Sequence, residues 1–397
     1  MKRGTAPVLT GLEALLEEPS RIQRGRRLGL LANQASVDRR LQHAADLLAA
    51  AGELVTLFGP EHGLRGEAQD MESTQSGRDP GTGLPVHSLY GATASTLAPS
   101  EAMLAGLDVL VCDLQDVGAR YYTFAATVFH VLESAAGSDL TVVVTDRPNP
   151  LGGRVVEGPG LKAGFESFVG RLDVPVRHAL TVGEMALLFR QEAGLDVDLQ
   201  VIPMKGWQRQ MLWQDCCLPW VPPSPNMPTL ETATVYPGGC LIEGTHLSEG
   251  RGTTRPFEFV GAPWIDAEAL ARTLSAASHP GLAFRPHWFR PLAQKWQGET
   301  CAGVQVHVED AARVRSFAAY VDLLAAVRQQ DPSRFTWRTE AYEFETRHPA
   351  IDLLAGSEDL RREIESGRTA AAMAADWDAE AVRFLAARRD LLLYPES

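Results

Sequence analysis

Five short, largely apolar runs constrain the fold of this chain more than any other feature of its sequence. They lie at residues 27–32, 54–58, 108–113, 140–146 and 198–203. Such runs, rich in β-branched residues and without polar alternation, are typical of strands that are covered on both faces. Helical patterns separate them, so we predict an open, mostly parallel α/β sheet in the first part of the chain.

Two of the intervening helices carry end signals. Residues 37–52 place apolar side chains at helical spacing, with Asp38 as the expected N-cap and Gly52 as the expected stop. Thr181 and Glu184 have the spacing of a capping box, in which each side chain accepts a hydrogen bond from the other residue's backbone N–H. Both segments are therefore predicted to form helices.

With 397 residues the chain exceeds the size at which a single core keeps growing, so two domains are expected. Residues 221–239 are rich in proline, and their apolar residues follow neither the helical nor the strand period. We therefore predict irregular backbone there and a domain boundary near it. One strand and two helices are predicted farther on, at 301–310, 316–330 and 379–394. We expect an α/β domain at 1–235 and a smaller α+β domain at 236–397.

The charge balance narrows the possible partners. A formal net charge of −13 opposes binding to nucleic acid or to an anionic membrane surface. No apolar run is long enough for a membrane span, and the first 31 residues lack the apolar core of a signal peptide, so we expect a cytoplasmic protein. The five cysteines have no metal-binding or disulfide spacing and are predicted to be buried small hydrophobic residues.

Polar residues follow four of the predicted strands. Ligands of an open parallel sheet bind beyond the carboxyl ends of its strands, so these residues are site candidates. They are Asn33, Glu61, His62, Arg65, Asp113, Gln115, Asp116, Arg120, Asp146, Arg147 and Asn149. Any one of them alone fits a turn or a cap, but four strands that deliver them to one edge predict a binding site.

Glu61 is the strongest catalytic candidate. Pro60 and Gly63 confine it to a tight turn after an apolar strand, where partial desolvation would raise its pKa and let it act as an acid. The alternative is that Glu61 pairs with Arg65 or caps the next segment. His62 either assists as a donor or is a structural histidine.

The arginines and tyrosines that follow suit an anionic ring-shaped ligand. Arg120 or Arg147 would bind a carboxylate, while Tyr121 or Tyr122 offers a face for a sugar ring. Alternatively, Arg120 pairs with Asp116, four residues earlier, if the segment is helical.

Three later residues, on segments rich in glycine or proline, are expected to complete the site or to belong to an ordered connector. They are Asn226, Glu249 and Arg251.

The sequence lacks the motifs of several common enzyme classes. The sequence has no GxGxxG after the first strand, no P-loop, no GxSxG and no HExxH, so no nucleotide cofactor is predicted. A metal site built from His62, His87 and Asp113 has no tight ligand spacing, so no metal is predicted either.

Long motifs give the chain a specific resemblance. They include GLLANQASVD, LFGPEHGLRGEAQ, DVLVCDLQDVGARYYTF, VVVTDRPNPLGG and LIEGTHLSEGRGTTRPFEF. On these strings the chain resembles the bacterial exo-β-N-acetylmuramidases. The resemblance implies a Rossmann-like first domain, a smaller second domain, and a cleft that releases β-1,4-linked N-acetylmuramic acid from the non-reducing ends of peptidoglycan fragments. The family's glutamate in PEHG falls on Glu61 and would be its catalytic acid.

Two aspects of the mechanism stay open at this point. The second acid is expected to be Asp116, Asp113 or Glu249, unless the substrate's own 2-acetamido oxygen attacks. The rival functions are a metal-dependent hydrolase and a non-catalytic protein that binds muropeptides. In each case a muropeptide or disaccharide is the expected small-molecule partner.

Overall fold

A computed structural model describes residues 7–18, 22, 25–69 and 71–396. Its larger sheet has seven strands: β1 (Arg27–Ala32), β2 (Glu53–Gly59), β3 (Gly77–Arg78), β4 (Pro85–Ser88), β5 (Val109–Asp113), β6 (Thr141–Thr145) and β7 (Asp198–Ile202). Their order is β3-β4-β2-β1-β5-β6-β7, and all neighbours are parallel except β3 and β4. The predicted mostly parallel α/β sheet is confirmed, because the five apolar runs form β1, β2, β5, β6 and β7.

Helices accompany this sheet in the first part of the chain. They are α1 (Gly11–Glu17), α2 (Ala44–Ala51), α3 (Glu101–Leu104), α4 (Phe124–Ala135) and α5 (Val182–Glu192), with short 3₁₀ helices at Ala94–Thr96 and Trp213–Asp215. The capping box of Thr181 and Glu184 begins α5, as predicted.

Alternate strand residues face opposite layers of the molecule. On β5, Val109 and Val111 join one buried cluster with residues of α1 and α2, whereas Leu110 joins another with residues of α4 and α5. On that second side Phe129 of α4 stacks on Phe189 of α5, with ring centroids 4.2 Å apart. Helices on both faces explain why the strands are apolar throughout.

The second part of the chain builds a smaller antiparallel sheet in the order β8-β10-β9, with helices around it. Its strands are β8 (Phe259–Ala262), β9 (Leu282–Phe289) and β10 (Cys301–Val308). Its helices are α6 (Leu230–Gly239), α7 (Ala267–Ala277), α8 (Ser316–Gln330), α9 (Ala350–Ala355), α10 (Asp359–Glu365) and α11 (Ala370–Ala387), with 3₁₀ helices at Cys240–Gly244 and Arg389–Leu391. The expected smaller α+β part is therefore present.

The prediction of irregular backbone at 221–239 is wrong for its second half, which is α6. Thr229 Oγ1 accepts a hydrogen bond from Thr232 N (3.1 Å) and caps the helix. Its buried residues pack against α8, and this packing tolerates Pro237 inside the helix. The predicted boundary near 235 falls within α6 and stays a prediction.

Two predicted helix ends also differ. The N-cap of α2 is His43, whose Nδ1 accepts from Ala45 N (3.2 Å), because Asp38 instead closes a turn by accepting from Arg40 N and Gln42 N. The last helix begins at Ala370 rather than at 379 and ends at Ala387 rather than at 394.

At the start of that last helix, Ala370 N donates to Asp322 of α8 (2.8 Å), a tertiary contact without a local sequence signal.

Four of the five cysteines are buried as predicted, but Cys217 is exposed. Its backbone lies in the left-handed region (φ 56°), at a turn on the surface. Among the described residues, no helix is both long enough and apolar enough to cross a membrane.

Candidate active site

Glu61 lies in a tight turn directly after β2. Gly63 N donates to Pro60 O (2.9 Å), which places Glu61 and His62 at the centre of the turn. His62 and Gly63 have positive φ values of 69° and 80°, a conformation that glycine adopts freely and histidine at a cost. The turn holds Glu61 beyond the carboxyl edge of the parallel sheet.

The Glu61 carboxyl is buried, with 4% of the residue exposed. Thr123 Oγ1, just before α4, donates to Glu61 Oε2 (2.7 Å). Arg65 does not pair with Glu61 but binds Asp79 through Nε and Nη2, at 2.9 and 3.0 Å. Within the described part of the chain, no lysine or arginine forms an ion pair with Glu61, so its carboxyl is not committed to a cation.

Glu61 lines a narrow cavity whose walls come from both parts of the chain. The lining residues are Glu61, His62, Tyr121, Tyr122, Thr123, Val169, Ser224, Asn226, Met227, Tyr236, Glu243, Arg251, Phe257, Tyr342 and Glu343. Its volume of about 30 Å³ is room for one or two water molecules, but not for a sugar ring. Cavities of about 1120 and 650 Å³ lie elsewhere, but they contain none of the predicted site residues.

An ionic network forms part of the wall that the second part of the chain contributes to the cavity. Arg251 Nη2 binds Glu243 Oε1 (2.7 Å), and Tyr342 donates its hydroxyl to Glu243 Oε2 (2.6 Å). Lys295 Nζ binds Glu249 Oε2 (2.9 Å) behind this pair. Glu249 therefore supports the wall without lining the cavity.

The network sets the ionisation of its members. Burial would raise the pKa of Glu243, but Arg251 and the Tyr342 hydroxyl more than offset it and hold that pKa below its ordinary value. Burial also raises the pKa of the Tyr121, Tyr122 and Tyr342 hydroxyls well above the ordinary value, so all three stay protonated. The cavity thus combines an anion, a guanidinium and neutral hydroxyl donors.

Asp116 is not among the residues that line this cavity. Its Oδ2 accepts a hydrogen bond from Gly118 N (2.5 Å), while Oδ1 is buried without a partner among the described residues. Burial raises the pKa of Asp116 to about 7. Its proposed catalytic role stays a prediction.

The structure does not bring Arg120 or Arg147 into the cavity. Arg120 donates to the backbone carbonyls of Pro159, Val174 and Leu354, at 2.7 to 2.8 Å. Burial lowers its pKa to about 10.

Arg147 binds Asp113 in a bidentate pair, with Nε–Oδ1 at 2.9 Å and Nη2–Oδ2 at 2.6 Å. Both guanidiniums thus have structural partners, and so does Asp113.

The remaining polar residues after the strands also have structural partners. Asn33 Oδ1 accepts from Ala35 N (3.1 Å), and Gln115 Nε2 donates to Pro148 O (2.9 Å). Asn149 Nδ2 donates to Leu180 O (2.9 Å).

Asp146 accepts the Tyr394 hydroxyl from the C-terminal segment (2.6 Å). Of the predicted site residues, Glu61, His62, Tyr121, Tyr122, Asn226 and Arg251 line the cavity, and the others do not.

The three metal ligands that we considered lie apart. His62 Nδ1 is 3.1 Å from Ala68 O, His87 packs on Phe58, and Asp113 is paired with Arg147. Throughout the described ranges, no group of three or more His, Cys, Asp or Glu side chains is arranged to hold a metal ion.

Sequence reasoning missed several lining residues, among them Thr123 and Glu343. Thr123 directly follows the two tyrosines that were singled out, so its position after β5 was a usable signal. Glu343 follows no predicted strand and belongs to no motif that we recognised. Only the tertiary structure brings it to the cavity.

Comparisons with known proteins agree along the whole chain. Family models described as exo-β-N-acetylmuramidase NamZ, N-terminal and C-terminal, match residues 28–231 and 234–394. Peptidoglycan β-N-acetylmuramidase NamZ of Bacillus subtilis (strain 168) is 40% identical over 389 residues, which are 98% of this chain and 91% of that protein.

Two crystal structures of DUF1343 family proteins from Bacteroides fragilis NCTC 9343 are also similar. One has a TM-score of 0.89 and 33% identity, and the other has 0.77 and 29%; both matches cover 99% of this chain and 100% of the other. The resemblance inferred from the motifs is confirmed, and the chain belongs to the exo-β-N-acetylmuramidase NamZ family.

Proposed function

We propose that this protein is an exo-acting glycoside hydrolase that releases terminal β-1,4-linked N-acetylmuramic acid from the non-reducing ends of peptidoglycan fragments. One observation carries the proposal: the buried carboxyl of Glu61 lines a cavity formed by both parts of a chain of this family. Among the described residues, no lysine or arginine forms an ion pair with this carboxyl. A small muropeptide or disaccharide is then the substrate.

In the proposed reaction Glu61 gives its proton to the glycosidic oxygen while the bond from C1 to that oxygen breaks. The Thr123 hydroxyl orients the carboxyl through Oε2 (2.7 Å), and we assign Oε1, which the Met71 N–H contacts only at 3.5 Å, to the leaving group. The protonated Tyr122 hydroxyl is a neutral donor for the sugar, whereas the Tyr121 and Tyr342 hydroxyls already donate to Pro237 O and to Glu243. Positioning by these fixed groups reduces the reorganisation needed in the transition state.

Three lining residues are proposed to bind the sugar. Tyr121 and Asn226 offer an aromatic surface and an amide, and Arg251 is the arginine among the lining residues. We assign the positive charge of Arg251, which also binds Glu243, to the attraction of the lactyl carboxylate of N-acetylmuramic acid. A sugar ring needs far more than the present volume, so the two walls must separate on binding.

The acid role predicts a rate loss that depends on the leaving group. Glu61→Gln should lower kcat on a MurNAc-GlcNAc disaccharide by about 10²- to 10⁴-fold. On a 4-nitrophenyl β-MurNAc glycoside the loss should be much smaller, because 4-nitrophenolate leaves without a proton. Steady-state kinetics on both substrates measure the difference.

Glu67→Gln is the matched control, because Glu67 is an exposed carboxyl on the same segment. If Glu61→Gln hydrolyses the disaccharide at the wild-type rate, Glu61 is not the acid. If the wild-type protein binds the disaccharide and releases no sugar, it is a binding protein instead. Sensitivity of turnover to EDTA, with stoichiometric bound metal, would favour a metal-dependent hydrolase.

We also propose a cytoplasmic location, where the enzyme would act on imported fragments. All five cysteines are free thiols, which suits a reducing compartment. Cell fractionation of the natural host, with the protein followed by antibody, tests this. Recovery in the extracellular or periplasmic fraction would contradict it.

A further inference from the structure

A second carboxyl, Glu343, lines the same cavity as Glu61 but comes from the other part of the chain. Glu61 follows β2 of the parallel sheet, whereas Glu343 lies between α8 and α9. Only 5% of Glu343 is exposed. Glycosidases commonly need two carboxyl groups, one on each side of the bond that breaks.

The backbone that carries Glu343 is strained. Tyr342 and Glu345 exchange two backbone hydrogen bonds (3.0 and 2.9 Å), which close a two-residue turn. The central residues Glu343 and Phe344 have φ values of 47° and 66°. Turns with two consecutive positive φ values strongly favour Asn-Gly, so Glu-Phe is costly here. Strain of this kind persists where the surroundings hold it, most often at functional sites.

The first part of the chain holds Glu343 in place through Tyr90. The Tyr90 hydroxyl donates to Glu343 Oε2 (2.8 Å). The Tyr90 ring also packs edge-on against Phe344, with centroids 5.6 Å apart. One aromatic side chain thus fixes both central residues of the turn and orients the carboxyl.

Two of the acids that were expected to be the second catalytic group form ion pairs away from the cavity wall. Asp113 is paired with Arg147, Glu249 is paired with Lys295, and neither lines the cavity. Glu243 lines it, but Arg251 and the Tyr342 hydroxyl hold the pKa of Glu243 below its ordinary value, which makes that carboxylate a weaker base. Glu343 is the acid that combines a place in the wall with a strained, braced backbone.

We propose that Glu343 is the second catalytic carboxyl and acts as the base that activates water; this rests on the proposed function. The cavity that it shares with Glu61 has the volume of the water that must attack. Water oxygen bonds to C1 and gives a proton to Glu343, while the C1–oxygen bond to the aglycone breaks and Glu61 protonates that oxygen. Glu343 then returns its proton to solvent and Glu61 takes one up.

This single displacement inverts C1, so β-linked substrate yields α-N-acetylmuramic acid first. Proton NMR during the first minutes of turnover should show the α anomer before mutarotation. First appearance of the β anomer would overturn the role of Glu343 as a base in a single displacement.

Substitution gives the second test. Glu343→Gln should lower kcat by about 10²- to 10⁴-fold on the 4-nitrophenyl glycoside as well as on the disaccharide, because water activation is needed for both. Glu340→Gln, an exposed carboxyl on the same segment, is the control and should keep wild-type rates. Azide should restore turnover of Glu343→Ala and form the α-glycosyl azide, since it attacks C1 without a base.

Tyr90→Phe keeps the ring contact and removes only the hydroxyl. It is therefore the variant that tests the role of Glu343 if the Glu343 variants do not fold. Its kcat should fall about tenfold with little change in KM. A folded Glu343→Gln with wild-type kcat, or a Tyr90→Phe with unchanged kcat, overturns the proposal for Glu343. Absence of sugar release by the wild-type protein would instead reject the proposed function itself.

Discussion

Thr123 orients Glu61 through the hydrogen bond that its hydroxyl donates to Oε2 of the proposed acid (2.7 Å). Thr123→Val keeps the shape of the side chain and removes the donor. We expect kcat on the disaccharide to fall about tenfold with little change in KM, since one such bond is worth about 1 to 1.5 kcal/mol.

Thr123→Ser, which keeps the hydroxyl, should retain most of the activity. Steady-state kinetics, with thermal melting as a check on folding, measure both variants. Equal kcat values for Thr123→Val and the wild type would show that the hydroxyl does not position the acid.

At the level of residues, sequence reasoning found Glu61 but not its surroundings. An acid that directly follows an apolar strand lies at the carboxyl edge of the sheet, and that position depends on local sequence alone. Arg120 and Arg147 meet the same condition, yet their guanidiniums turn into the protein and bind carbonyls or Asp113. The direction of a long side chain depends on partners that are remote in sequence.

Among the elements, Arg120 connects segments that belong to different parts of the chain. Its guanidinium binds Val174 O and Pro159 O beside the parallel sheet and Leu354 O in α9. Arg120→Met would leave three buried carbonyls without this donor. We expect the free energy of unfolding to fall by about 3 kcal/mol, with KM for the β-MurNAc glycoside unchanged.

Urea unfolding and kinetics below the melting temperature test this prediction. Arg313→Met, at an exposed arginine, is the control and should have little effect on either quantity. A higher KM with unchanged stability would mean that Arg120 binds the substrate carboxylate, as its place in the motif first indicated.

Elements with a clear period were predicted correctly, and elements stabilised by tertiary contacts were not. The strands of the parallel sheet and α8 follow uninterrupted or helical apolar patterns. In contrast, α6 has a proline inside it and forms because its residues are buried against α8. Local propensity is weaker than that burial, so the segment looked irregular in the sequence.

In the whole molecule, two buried aspartates make stability depend on pH. Burial raises the pKa values of Asp116 and Asp146 to about 7, against about 3.9 in an unfolded chain. Between these values the folded state keeps protons that the unfolded state has lost, so stability falls as pH rises from about 4 to 7. Above that range the full cost of burying the ionised groups is present.

Asp116→Asn should remove one of these contributions. Its free energy of unfolding, relative to wild type, should therefore rise between pH 5 and pH 8 by an amount of the order of 2 to 3 kcal/mol. Urea unfolding at the two pH values measures the change, with Asp376→Asn on an exposed part of α11 as control. If the free energies of unfolding of variant and wild type differ by the same amount at both pH values, Asp116 is not a buried acid that keeps its proton in the folded state.

The sequence by itself determined the parallel sheet, the place of Glu61 at its edge and the family, because apolar periods, turn residues and contiguous motifs are local. Only the tertiary structure decided which polar residues share a cavity. A strained turn, held by Tyr90 from far away along the chain, brings Glu343 to the cavity that Glu61 also lines. Contacts of this kind depend on how two separate parts of the chain pack, and no local pattern records that packing.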